Sequence, residues 1–212
     1  MASSLISLGA VNMEAADPTS LATFWAAVTG APAPEPGDGT VAGDMSDVVS
    51  IELLLDPDTE ARVRADWQSL AAAGMSSLGA YRSPTNRPHV TLLVRPELAA
   101  SAFPDAIARL PVVVALAGPV VFSYGDRGVL AWRVEPSDEL VALHTAVHAA
   151  AGPGTDAAHT APGEWTPHVT LARRLRLETL PEALALLGGP HVGSGLSLRR
   201  WDAASATVTD LS

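Results

Sequence analysis

The sequence repeats one five-residue phrase: Pro88-His89-Val90-Thr91-Leu92 returns as Pro167-His168-Val169-Thr170-Leu171. Chance supplies on the order of 0.001 copies of a given pentad in a chain this long, so two copies demand a common cause. Side chains alternate along an extended strand. Val90 and Val169 therefore point into packing, while His89 with Thr91, and His168 with Thr170, share the opposite face. Each copy presents one imidazole and one hydroxyl to a single surface. A chain that must bury both copies at equivalent places folds around an internal repeat.

With 212 residues and 48% hydrophobic content, the chain can build a substantial core in one large domain or two small lobes. The net charge is -10, and all 13 basic residues are arginine. A net acidic surface disfavours an extended nucleic-acid interface and leaves room for a small phosphate ester or a short RNA end. Without cysteine, disulfides and thiolate metal sites are excluded. The N-terminus lacks a basic region followed by an apolar run, and no apolar stretch of about 18 residues occurs, so the expectation is a cytoplasmic protein without a membrane span.

Before Met45 the chain reads differently from the remainder. Leu5 to Met13 has strand character, Asp17-Pro18 opens a helix with Leu21, Phe24, Trp25 and Val28 on one stripe, Gly30 closes it, and 31–43 is a Pro/Gly-rich linker. Ala16-Asp17-Pro18, Leu21 to Trp25 and Gly30 resemble the opening strand and helix of a glyoxalase-type, vicinal-oxygen-chelate module. The likeness stops short of the sheet that holds such a module's metal, and no function follows from it. The expected division is an N-terminal extension over 1–44 and a catalytic domain over 45–212.

In that domain Val48 to Leu55 reads as a strand. Asp56-Pro57 caps a helix to about Ala73 that buries Val63, Trp67 and Leu70, with Gly74 ending it. The first pentad strand runs from Pro88 to Val94. A helix starting afresh at Phe103-Pro104 is expected within 96–110, then strands over Val112 to Leu116, Val120 to Tyr124 and Val129 to Val134, the last two joined by a Gly125 to Gly128 turn. Ser137 or Asp138 caps a helix to Ala150. The long loop from Ala151 to Trp165 leads into the second pentad strand, Thr166 to Arg173. A helix over Glu178 to Leu187 and strands over Leu196 to Trp201 and Ala204 to Asp210 close an α+β structure.

Imidazole titrates near neutrality, so of two such groups one can accept a proton while the other donates one. Hydroxyls two residues away can donate to anionic oxygens between the rings. That set suits in-line cleavage of a phosphodiester, where attacking and leaving oxygens lie on opposite sides of phosphorus.

The paired pentads, with Arg173 directly after the second, resemble the two His-x-Thr motifs of the 2H phosphoesterase superfamily, in particular its bacterial 2′-5′ RNA ligase-like branch. The resemblance covers Met45 to about Asp210. It implies a bilobal α+β fold with pseudo-two-fold symmetry, antiparallel sheets lining a central cleft and helices outside, and one motif from each lobe. It also implies metal-independent opening of 2′,3′-cyclic phosphates to 2′-phosphates without a cofactor, in some members with reversible 2′-5′ ligation of RNA ends. His89 and His168 are then the acid/base pair, in either order, and Thr91 and Thr170 bind phosphate.

Arg173 stands five residues after His168, which on a regular strand turns it away; only a bulge or the strand's end brings it to the cleft. Tyr81, Trp165, Phe122 and Tyr124 are the candidates for an aromatic shelf under a base, Trp165 first and Phe122 rather as core; at 5% aromatic content any shelf is small. His144 and His148 have the i, i+4 spacing of a zinc pair without the accompanying glutamate, and read as a partly exposed helix face. His159 reads as a solvated loop residue and His191 as a strand start. The run Arg173-Arg174-Leu175-Arg176 reads as a solvated edge that can attract phosphate. A binder of nucleotides or RNA ends that keeps the cleft without turnover is the alternative to an enzyme, and a metal-dependent module centred on the N-terminal segment is a third reading.

Overall fold

The computed structural model describes residues 11–14, 48–99 and 101–211. The expected helix from Asp17 to Gly30, the linker over 31–43 and the domain start at Met45 lie outside the described residues. Described are strands β1 (Val11–Glu14), β2 (Val49–Leu55), β3 (His89–Arg95), β4 (Val112–Tyr124), β5 (Arg127–Val134), β6 (His168–Arg176), β7 (His191–Asp202) and β8 (Thr207–Asp210). The α-helices are α1 (Pro57–Ala72), α2 (Pro104–Ile107), α3 (Asp138–Ala151) and α4 (Leu180–Ala185).

The strands form one sheet in the order β3-β2-β7-β4-β5-β6, with β8 added to β7 and β1 added in parallel to β4. The antiparallel β4–β7 pair, Val114 opposite Gly193, lies at the centre. On either side of it the same unit recurs: strand, helix, loop, pentad strand, as β2-α1-β3 and as β5-α3-β6. The repeat of this unit about the β4–β7 pair gives the bilobal arrangement with a pseudo-two-fold axis. Each helix packs on the other lobe's pentad strand as well, α1 on β6 and α3 on β3, which draws the two edge strands together.

Local signals explain the elements. Asp56 caps α1 by accepting from the backbone N–H groups of Asp58 and Thr59, Pro57 fits the first turn, and Gly74 reverses the chain at φ +73°. Those cap bonds, with another from Ser194 N–H, overcome the effect of burial and hold the Asp56 pKa down at about 2. Ser137 caps α3 by accepting from Leu140 N–H. Val63, Trp67 and Leu70 of α1 and Leu140, Leu143 and Val147 of α3 are buried in the core with the inward faces of the sheet.

Three segments differ from expectation. The two strands expected over Val112 to Tyr124 are one: β5 pairs across Pro119, which stands opposite Trp132, and on the other side Pro119 falls between the end of pairing to β7 at Leu116 and the start of pairing to β1 at Val120. The helix at Phe103-Pro104 is a single turn, Pro104–Ile107. The turn after Tyr124 takes two residues, Gly125 at φ +57° and Asp126, so β5 already begins at Arg127.

Candidate active site

Both pentads sit at the start of an edge strand, His89 as the first residue of β3 and His168 as the first residue of β6. Their registers match: Thr91 is opposite Glu52 of β2, and Thr170 is opposite Ala131 of β5. In each strand one extra residue is accommodated immediately after the threonine, at Leu92 and at Leu171, so the lobes share even the bulge. Val90, Leu92, Val169 and Leu171 are fully buried, which leaves His89 with Thr91, and His168 with Thr170, on the opposite face of each strand.

The two imidazoles are held alike. His89 Nδ1 lies 2.7 Å from the Arg87 carbonyl, and His168 Nδ1 lies 2.7 Å from the Thr166 carbonyl. A carbonyl only accepts, so each Nδ1 carries the hydrogen and Nε2 is the nitrogen at which each ring gains or loses a second proton. The rings are near enough for the charge of His89 to act on His168. Two tryptophans tie the threonine backbones across the lobes: Trp67 of α1 donates its indole N–H to the Thr170 carbonyl at 3.0 Å, and Trp165 donates to the Thr91 carbonyl at 3.0 Å.

Their surroundings differ. Glu52, 3% exposed in the middle of β2, faces His89 with Oε1 3.6 Å from Nε2. Oε2 of the same carboxylate accepts from Nε and Nη2 of Arg199, both at 2.7 Å, and Oε1 accepts from Ser50 Oγ at 2.8 Å. Burial alone would raise the Glu52 pKa; His89, Arg199 and Ser50 together outweigh it and hold the group below the usual carboxylate range. For His89, burial lowers the pKa, Glu52 opposes that, and Arg199 and Arg173 add to it, leaving a net depression. His168 lies against the Phe122 ring, centroids 5.0 Å apart, and burial together with the charges of His159 and His89 brings its pKa down to about 4 although its bond to Thr166 works the other way.

Arg173 is turned by an irregularity of β6. Between Gly128 and Leu130 of β5 the strand carries a further extra residue, and Arg174 there adopts φ +56°. Simple alternation from His168 therefore fails before Arg173. Arg173 lies within electrostatic reach of Tyr81, Glu52 and His89, and burial lowers its pKa to about 10. Arg174 and Arg176 are exposed, and Arg176 pairs with Glu178 at 3.1 Å. Tyr81 is exposed at the rim. Trp165 stacks on His144 at 4.1 Å with 10° between planes, so one face and the indole N–H are engaged within the protein.

His144 and His148 are buried rather than partly exposed. His144 Nε2 meets the Thr160 carbonyl at 2.9 Å, and His148 Nε2 meets the Leu92 carbonyl at 3.2 Å. They fasten the loop and the first pentad strand to α3. His159 is also drawn in, with its ring 5.9 Å from Phe122. His191 begins β7, with Nε2 3.1 Å from Thr59 Oγ1. Among the described residues no helix is long and apolar enough to cross a membrane.

Sequence reading missed Glu52 and Arg199, and the bracing by Trp67 and Trp165. The signal for the first pair was present: a single carboxylate inside the apolar run Val48 to Leu55 has to find a buried partner.

Comparison with known proteins adds family and fold. The family model for the 2′-5′ RNA ligase superfamily matches residues 56–212. Among solved structures, Usb1 of Kluyveromyces marxianus aligns at 16% identity over 78% of this chain and 98% of that one, with a TM-score of 0.43. The same protein with uridine monophosphate aligns at 16% identity over 78% and 97%, with a TM-score of 0.40. No curated protein matches the chain.

Proposed function

The chain belongs to the 2′-5′ RNA ligase superfamily of 2H phosphoesterases, and we propose that it opens 2′,3′-cyclic phosphates to 2′-phosphates by metal-independent acid/base catalysis with His89 and His168. The observation that carries this reading is the pair of imidazoles at equivalent strand starts, each anchored through Nδ1 to a backbone carbonyl two residues earlier, which makes Nε2 the nitrogen that gains or loses a proton. One Nε2 takes the proton of the attacking water while the other protonates the leaving ribose oxygen. Thr91 and Thr170 donate hydrogen bonds to the non-bridging oxygens, and Arg173 balances their charge. With a ribose 5′-hydroxyl attacking in place of water the same pair forms a 2′-5′ linkage, and in the reverse direction, with roles exchanged, it cleaves that linkage back to the cyclic phosphate.

The substrate is a small cyclic nucleotide or the cyclic-phosphate end of a short RNA, since a chain of net charge -10 offers a polymer little attraction. Tyr81, which is exposed and has a side chain able to stack, is the proposed contact for the base, and Trp165 acts by bracing the first pentad strand. The chemistry is assigned to residues 45–212; residues 1–44 lend them β1, which lies beside β4 as β8 lies beside β7. Turnover of a panel of nucleoside 2′,3′-cyclic phosphates in EDTA tests the reading. The expected product is the 2′-phosphate, with His89→Ala and His168→Ala each slower by about 10²–10⁴-fold. Loss of activity on chelation, or wild-type turnover by either variant, would sink it.

A further inference from the structure

We infer that Glu52 is a positioning residue that makes the two symmetry-related histidines unequal, holding the proton on His89 so that His89 acts as the general acid and His168 as the general base. The inference rests on the phosphodiesterase reading above and adds a polarity to it.

The argument starts from the register. Glu52 and Ala131 occupy the same place in the two lobes, each opposite the pentad threonine. The fold therefore builds this position without a carboxylate in one lobe and with one in the other. Burying a carboxylate costs several kcal/mol unless partners recover it, and an apolar residue is the cheaper filling. Arg199 satisfies Oε2 twice over, while Oε1 is directed at Ser50 and His89. The 3.6 Å to His89 Nε2 exceeds hydrogen-bond length, so the contact works as a charge and leaves the N–H able to turn to a substrate oxygen.

The groups facing each ring give the carboxylate its importance. His89 is faced by Glu52 from β2, Arg199 from β7, and Arg173 and His168 from β6. Without Glu52, His89 would meet two guanidinium groups and no anion among the described residues, which disfavours a second proton. With it, Nδ1 faces a carbonyl and Nε2 faces a carboxylate, both acceptors, which is the environment of an imidazolium. Among the described residues, His168 meets the Phe122 ring from β4 and the charges of His159 and His89. That environment favours the neutral base.

The step balances as follows. His168 Nε2 removes a proton from water as the water oxygen bonds to phosphorus; the bond from phosphorus to the 3′-oxygen breaks; and that oxygen takes the proton from His89 Nε2. The 2′-phosphate remains. Release of the proton from His168 to solvent and uptake of one by His89 resets the pair.

The test joins a pH–rate profile with uridine 2′,3′-cyclic phosphate to an ¹⁵N NMR titration of the imidazoles in the full-length protein. In Glu52→Gln the alkaline limb, where the acid loses its proton, should move down by about one to three pH units, and the His89 titration with it. A uniform loss of rate at every pH with the His89 titration unmoved would overturn the inference. If Glu52→Gln does not fold, the wild-type titration decides: His89 should release its proton at a higher pH than His168, and the opposite order refutes the assignment. That order is read without turnover, so it separates this inference from a wrong choice of substrate.

Discussion

The two lobes present the same catalytic pair through the same strands but fasten it by different chemistry. In the first lobe the loop before His89 is held by permanent charges. Glu60 accepts from Arg64 and Arg87, Arg64 donates to the Asn86 carbonyl at 3.0 Å, and Arg199 donates to the Thr85 carbonyl at 2.9 Å. In the second lobe the loop before His168 is held largely by imidazoles. His144 meets Thr160, and His148 Nδ1 lies 3.4 Å from Asp156, which also pairs with Arg95. Guanidinium groups keep their charge at any pH the protein meets, whereas imidazoles do not. Symmetry of geometry is thus compatible with asymmetry of response, and His144 and His168, both brought down to a pKa of about 4 chiefly by burial, stand in the second lobe.

Acidification gives the largest effect that could break this contrast. Burial holds both His144 and His168 at a pKa of about 4 in the folded protein, against 6.5 for the free side chain. The unfolded chain therefore binds protons first: stability from these groups is whole above pH 6.5, falls as pH drops from 6.5 to about 4, and changes no further below that. His168 accounts for about 3 kcal/mol over the window, and His144, less deeply enclosed, for less. Denaturant titrations at a series of pH values should show the loss, and His144→Asn should make it shallower. A slope unchanged in that variant would remove His144 from the account.

Next in size is the phosphate contact. Thr91→Val and Thr170→Val each remove a donor to an anionic oxygen, worth about 1.5–3 kcal/mol, so kcat/KM should fall about 10- to 150-fold in both. Losses that agree within about tenfold support equivalent threonines, since that spread is the width of the expected range. A large loss in one and none in the other would show that only one lobe touches the phosphate. The smallest effect is expected at the cross-lobe brace: Trp165→Phe deprives the Thr91 carbonyl of its donor and should cost about 1 kcal/mol in stability, read from the urea midpoint.

The sequence displayed the symmetric part of this molecule far better than the asymmetric part. Pentads, caps and apolar spacing are local signals, and Asp56, Ser137, Val63 and Leu143 stand where those signals put them. The bulges of β3 and β6 depend on how two distant strands pair, which one strand's alternation cannot express. Arg173 illustrates the consequence: parity turns it outward, and the irregular pairing with β5 sets it beside Glu52 and His89 instead. His144 and His148 have a spacing that fits a metal or a surface equally well, and only the loop folded over α3 assigns them to carbonyl oxygens. Glu52 acquires meaning only when its counterpart is identified as Ala131, and that needs the register of both lobes.

The central claim is that both imidazoles address one phosphorus. A crystal structure with a nucleoside 2′-monophosphate tests it most directly. The account predicts phosphate oxygens within about 2.6–3.2 Å of both His89 Nε2 and His168 Nε2. A phosphate bound elsewhere, or touching one ring while the other is walled off by protein, would contradict it.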